Sequence, residues 1–122
     1  MQITEIFADA DGETHLRRRT VDLELRDFAP PSPPVRVSSE AQLTTGVFFA
    51  ALPGWDKSFH PTPRRQYAIM LSGRMTLTVS DGTTMTIRPG DVFLLNDPAS
   101  KGHLSEVQGD VPATFFFAGL AD

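Results

Sequence analysis

The sequence contains no cysteine. A disulfide framework, a thiolate nucleophile and any cysteine-held zinc or iron–sulfur site are therefore excluded. Cations are in the minority: 11 Lys and Arg stand against 15 Asp and Glu, a formal net charge of -4. That balance argues against a general binder of nucleic acid or of anionic membranes. Long apolar runs are missing too. The longest covers residues 47–52, far short of the roughly 20 residues that span a bilayer. Residues 1–5 hold no basic stretch leading into an apolar one, so no secretory leader is read there and the cytoplasm is the expected compartment. No stretch of ten or more residues carries the 3.6-residue apolar period of an amphipathic helix.

What is present is a globular composition, 40% hydrophobic and 21% charged, over 122 residues. A domain of this length buries roughly two thirds of the surface its unfolded chain exposes, and the length is short for two domains. Residues 1–122 are read as a single domain. Period-2 patterns recur along it. Val21, Leu23 and Leu25 alternate with Asp22, Glu24 and Arg26, and Met75, Leu77 and Val79 alternate with polar residues. Each pattern predicts a strand with one face buried. Residues 67–71, 92–95 and 114–120 read as strands packed on both faces. The turn signals agree: Asp81-Gly82 between two such patterns marks a hairpin, and Pro89-Gly90 suits the middle of a type II turn. Ser72-Gly73 and Gly109-Asp110 punctuate further strands. Closely spaced strands of this kind predict an all-β antiparallel sandwich or barrel. Residues 29–34 carry four prolines in six positions. They predict either an extended polyproline crossing or a plain surface linker between an N-terminal portion, 1–34, and the rest, 35–122.

Residues 60–103 add an order of motifs. His60-Pro61-Thr62-Pro63-Arg64-Arg65-Gln66 is followed, after six intervening residues, by Gly73, and Gly82 by Arg88-Pro89-Gly90-Asp91 and then His103. This pattern resembles the two motifs of the cupin superfamily, and within it a group of small single-domain bacterial cupins. About half of the chain carries the resemblance closely. The resemblance implies a double-stranded β-helix barrel of jelly-roll topology. It also implies that His60 and His103, 43 positions apart, share the barrel interior. In metal-binding cupins the matching positions are His, His, Glu and His. Here they are His60, Thr62, Gln66 and His103. One imidazole and the only carboxylate are gone, both favoured by Fe, Mn, Ni and Zn. A divalent metal on His60, Gln66 and His103 is one expectation, and a metal-free pocket is the other.

The residues allow three kinds of function. One is an enzyme acting on a small molecule in the barrel. His60 and His103 would then be ligands of a divalent metal or, without one, general acid and base. Arg64 or Lys101 would hold an anionic group of the substrate, with solvated strand-end charges as the plain alternative. Gln66, expected on one strand face with Ala68 and Met70, is read as a pocket residue because a buried amide needs partners. Trp55 and Tyr67, the only Trp and Tyr, are candidate pocket walls, with core or dimer packing as the alternative. The second kind is a non-catalytic ligand-binding or sensor cupin whose metal set has decayed. An assembly role is the third, and the resemblance implies a homodimer. His15 is a loop histidine that could reach the pocket. Arg17, Arg18 and Arg19 are read as a solvated strand end, having acidic neighbours and no interleaved aromatics. The expected partner is a small molecule, with no nucleic acid and no membrane.

Overall fold

Alternating side chains and glycine turns build the molecule. The computed structural model describes residues 1–121, and among these it forms eleven strands and no helix. In chain order they are β1 (Gln2–Ala8), β2 (Thr14–Thr20), β3 (Glu24–Arg26), β4 (Val35–Val37), β5 (Leu43–Ala51) and β6 (Gln66–Ser72). Then come β7 (Met75–Val79), β8 (Thr84–Ile87), β9 (Val92–Asn96), β10 (His103–Val107) and β11 (Ala113–Leu120). No helix among the described residues is long and apolar enough to cross a membrane.

Three sheets result. Six strands follow the order β2-β1-β9-β6-β11-β5, three follow β10-β7-β8, and β3 pairs with β4. Only β1 and β9 run parallel; the other strand pairs are antiparallel. The two larger sheets share one apolar core. Ile6, Ala68, Met70, Phe93 and Phe115 come from the first, and Met75, Leu77, Val79 and Ile87 from the second. In β6 the alternation is plain: Gln66, Ala68 and Met70 are buried while Tyr67 and Ile69 are only half-buried. The turns form where the glycines stand. Asp91 N–H donates to the Arg88 carbonyl at 3.0 Å across Pro89-Gly90, with Gly90 at φ 91°. That is the positive φ a type II turn demands at its third position.

The outer face of β1 buries a charge. Glu5 is fully buried, and Arg17, Arg19 and Asn96 all donate to its carboxylate. Burial alone would raise its pKa. The Arg17 and Asn96 hydrogen bonds and the two guanidinium charges outweigh burial and hold it below its ordinary value. Two of the three consecutive arginines thus clamp a carboxylate rather than merely meeting solvent.

Two expectations change. The alternation at 21–26 does not make a half-buried strand: only Glu24–Arg26 is strand, and it is exposed. The proline-rich stretch is not an extended crossing. It is the tip of the β3–β4 hairpin, where Ser32 N–H donates to the Ala29 carbonyl at 2.9 Å. Within the N-terminal portion, β1 lies inside the six-stranded sheet between β2 and β9.

Candidate functional site

Gly102 brings the two distant histidines together. Its φ of 80° turns the backbone so that His60 and His103 exchange both backbone hydrogen bonds, each 3.0 Å. The imidazoles then lie beside each other with ring centroids 5.1 Å apart. Each ring has its own carboxylate. His103 is buried, and its Nδ1 donates to Asp97 Oδ2 at 2.8 Å. Asp97 is fully buried as well, and its Oδ1 has no hydrogen-bond partner among the described residues. A carboxylate accepting from Nδ1–H fixes the tautomer whose Nε2 lone pair is free. His60 differs. Its Nε2 faces Asp56 Oδ2 at 3.0 Å and its Nδ1 faces the Pro61 carbonyl at 3.2 Å, so each ring nitrogen already faces a protein acceptor. Asp56 also accepts from the Ser105 N–H at 2.7 Å, which ties the loop before β6 to β10.

Both histidines border a cavity of about 650 Å³ between the two larger sheets. Every strand of those sheets except β2 contributes to its wall. Most of that wall is apolar, including Ile6, Leu77, Phe93 and Leu95. An aromatic group closes one side: Phe49 meets Trp55 and Phe117 edge-on, with centroids 5.4 and 5.2 Å apart. Polar atoms gather near the histidines. Gln66 Nε2 donates to Thr62 Oγ1 at 3.2 Å, and that hydroxyl donates to the Arg64 carbonyl at 2.7 Å. The Arg64 side chain is on the cavity wall and donates to Thr45 Oγ1 at 3.4 Å.

A family model described as the EutQ-like cupin domain matches residues 49–112, just over half of the chain. The chain belongs to the EutQ-like cupin family. Its match contains the loop before β6 and the start of β10, and hence every polar residue just placed except Thr45. Among solved structures, protein NMB1881 from Neisseria meningitidis is 15% identical, with a TM-score of 0.44 over 71% of this chain and 88% of that one. No curated protein matches the sequence.

Cupins commonly carry a metal at the four positions occupied here by His60, Thr62, Gln66 and His103. In this cupin the residues do not fit one. Both His60 nitrogens are engaged by protein acceptors, and the Thr62 hydroxyl is spent on Arg64 and Gln66. That leaves His103 Nε2 and the neutral Gln66 carbonyl, short of the three protein ligands and the negative charge that such ions favour. No group of three or more His, Asp or Glu able to hold a metal is present among the described residues.

The other sequence candidates divide by position. Trp55 and Arg64 are on the cavity wall with His60, Gln66 and His103, whereas Tyr67 and Lys101 are not. Lys101 turns outward and pairs with Glu13 at 2.6 Å, which raises its pKa. Sequence reasoning passed over Asp56 and set Asp97 aside as a turn residue before Pro98. Their signals were faint: an Asp four residues before His60 and another six before His103.

His15 stays outside the cavity and clasps two aspartates, Nε2 to Asp9 Oδ2 at 2.7 Å and Nδ1 to Asp81 Oδ2 at 2.8 Å. The bond to Asp9, then that to Asp81, raises its pKa above the ordinary 6.5. The bond to His15 lowers the pKa of Asp9. Asp81 is lowered by its bonds from Thr83 first and by His15 after them. The histidine's contribution to stability is complete below pH 6.5 and is lost as pH rises through the raised value. The aspartates' contribution is present above their ordinary 3.8 and is lost as pH falls through the lowered values. The clasp is therefore whole between those limits. Thermal melts of wild type and His15→Gln across pH should show the widest gap near pH 5–6, narrowing above neutrality. A gap independent of pH would rule the clasp out as the cause.

Proposed function

We propose that this cupin binds a small, largely apolar molecule carrying one hydrogen-bonding group. The apolar part fills the cavity, which is the interior of a jelly-roll barrel built from the two larger sheets, and the polar group meets His103 Nε2. The observation that supports this most is a single open imidazole nitrogen, held in one tautomer by Asp97, in a largely apolar wall. A catalytic centre would gather two or more free titratable groups around one point, and His60 is already taken up by Asp56 and Pro61. Arg64 on the same wall gives an anionic ligand a second contact.

One observation favours catalysis as the second reading. A buried aspartate behind a histidine prepares that ring to accept a proton from the bound molecule and return it to a different atom, as an isomerisation requires.

The test uses 2-naphthol, whose O–H can donate to His103, and 2-methoxynaphthalene, which lacks it. Wild type should prefer the naphthol by about 5- to 20-fold, the worth of a buried hydrogen bond. His103→Ala should abolish the preference, and prior dialysis against a chelator should leave both affinities unchanged. Quenching of Trp55, the only tryptophan, reports occupancy. Equal affinity for the two compounds in wild type would overturn the assignment of His103. Loss of binding after chelation would restore a metal.

A further inference from the structure

We propose that Gly119 sets the class of ligand: its missing side chain lets Arg64 cross the sheet to the cavity rim, where the guanidinium selects a hydrophobic carboxylate over a neutral molecule. This selection rests on the ligand reading above and adds a charged end to the molecule that meets His103. One row of paired residues runs across the six-stranded sheet: Ile6, Leu95, Gln66, Gly119 and Thr45. Four of the five line the cavity, and Gly119 is the exception. Along its length the row turns from apolar, at Ile6 and Leu95, to polar, at Gln66 and Thr45.

Arg64 enters from the loop just before β6, and Thr45 is on β5, with β11 between the two strands. Two strand spacings amount to roughly 10 Å. The Arg64 side chain spans that gap and donates to Thr45 Oγ1 at 3.4 Å. It crosses β11 at Gly119. A Cβ there would overlap Thr45 Oγ1 and stand 3.1 Å from Arg64 Cδ. The φ of Gly119 is not positive, so the backbone does not call for glycine at this place; the space does. Glycine in a strand weakens it and marks a close approach by another group. Here that group is the stem of an arginine.

Arg64 is the only Lys, Arg, Asp or Glu that lines the cavity. Its one polar contact among the described residues is the neutral Thr45 hydroxyl, whereas Arg17, Arg19, Arg26 and Lys101 all reach carboxylates. A guanidinium left without a counter-ion beside an apolar cavity fits an anion, and its planar fork matches a carboxylate. One cation balances one negative charge, which favours a carboxylate over a phosphate carrying nearly two. Charge also decides which end of the ligand goes where. Asp97 stands directly behind the His103 ring, so an anion at that ring would meet a like charge. The neutral hydroxyl goes to His103 and the carboxylate to Arg64.

The probes are 6-hydroxy-2-naphthoic acid and its neutral amide, which share ring and hydroxyl and differ in the charge they bring to the rim. Calorimetric titration of the wild type at neutral pH should favour the acid by about 3- to 10-fold, the worth of a charge-assisted bond at a solvent-facing site. The advantage should fall about twofold as salt rises to about 0.5 M. Arg64→Gln should erase it. Gly119→Ala should erase it as well, although it removes no polar atom, because the added methyl displaces the Thr45 hydroxyl and the arginine stem. Gly119→Ala/Thr45→Ala, which removes the overlapping hydroxyl, should recover part of it. Damage to the fold would weaken acid and amide alike, so their ratio, read beside a far-ultraviolet spectrum, separates selection from damage. Equal affinity of the wild type for acid and amide overturns the proposal, and so does an advantage that survives Arg64→Gln. An advantage lost in Arg64→Gln but kept in Gly119→Ala overturns the part given to the glycine. If 2-naphthol binds while acid and amide are alike, selection at the rim falls and the ligand reading stands. If acid, amide and 2-naphthol all fail to bind, the ligand reading itself has failed.

Discussion

Gly102→Ala should lower the melting temperature by about 10–20 °C, whereas Gly82→Ala should lower it by about 5 °C. Both glycines have positive φ, 80° and 94°. Each substitution therefore carries the left-handed backbone penalty, about 1–2 kcal/mol. They differ in space. A Cβ at Gly82 meets nothing within 4 Å, whereas one at Gly102 would overlap the His60 carbonyl group and come within 2.6 Å of the Pro61 nitrogen. Backbone atoms cannot swing aside as a side chain can, so strain of about 1–3 kcal/mol is added. Nor can the loop drift as a whole. Gly102 N–H donates to Ser100 Oγ at 2.9 Å, and its carbonyl accepts from the buried Thr14 hydroxyl at 2.7 Å. The variant should also lose the naphthol preference, because the bridge that sets His103 beside His60 passes through this contact. Differential scanning calorimetry of both variants checks the prediction. Equal losses would mean that the close approach carries no weight.

The same glycine shows what could be read from the chain and what could not. Its neighbourhood was legible as a motif, and so were β6, β7 and β9, because alternation and turn residues are local. Gln66 was placed on the face of Ala68 and Met70 by period alone, and the structure buries that face. The β3–β4 hairpin was misread for a physical reason. Alternation at 21–26 reports that a segment has two unlike faces, and says nothing about what will cover the apolar one. For Lys101 the sequence left a substrate contact and a solvated charge both open, because proximity along the chain to His103 does not fix proximity in space. The turn at Gly102 separates them, sending the lysine to Glu13 and the histidine inward. Asp97 stood in a turn context before Pro98, and only the folded loop brings it 2.8 Å from a ring six residues on. Such pairings are made by tertiary structure and leave almost no local trace.

Asp97→Asn should invert the ligand preference of the cavity with little change of shape. In the wild type, Asp97 Oδ2 can only accept, so Nδ1 carries the proton and Nε2 presents a lone pair. An asparagine amide in the same place can donate to Nδ1. The proton then moves to Nε2, which becomes a donor. A donating ligand such as 2-naphthol should lose about tenfold in affinity, and 2-acetonaphthone, which can only accept, should gain a similar factor, as expected when a buried polar group is stranded or satisfied. The driving force lies in Asp97 itself. Its second oxygen, Oδ1, is buried without a partner among the described residues, so the carboxylate's one strong contact there is the one that sets the tautomer. Nitrogen-15 chemical shifts of the His103 ring would show the exchange of tautomers directly and independently of any ligand. If the ring keeps its wild-type tautomer and the naphthol is still preferred, the asparagine has turned its oxygen toward Nδ1. In that case Asp97 holds the orientation of His103 without choosing which nitrogen faces the cavity.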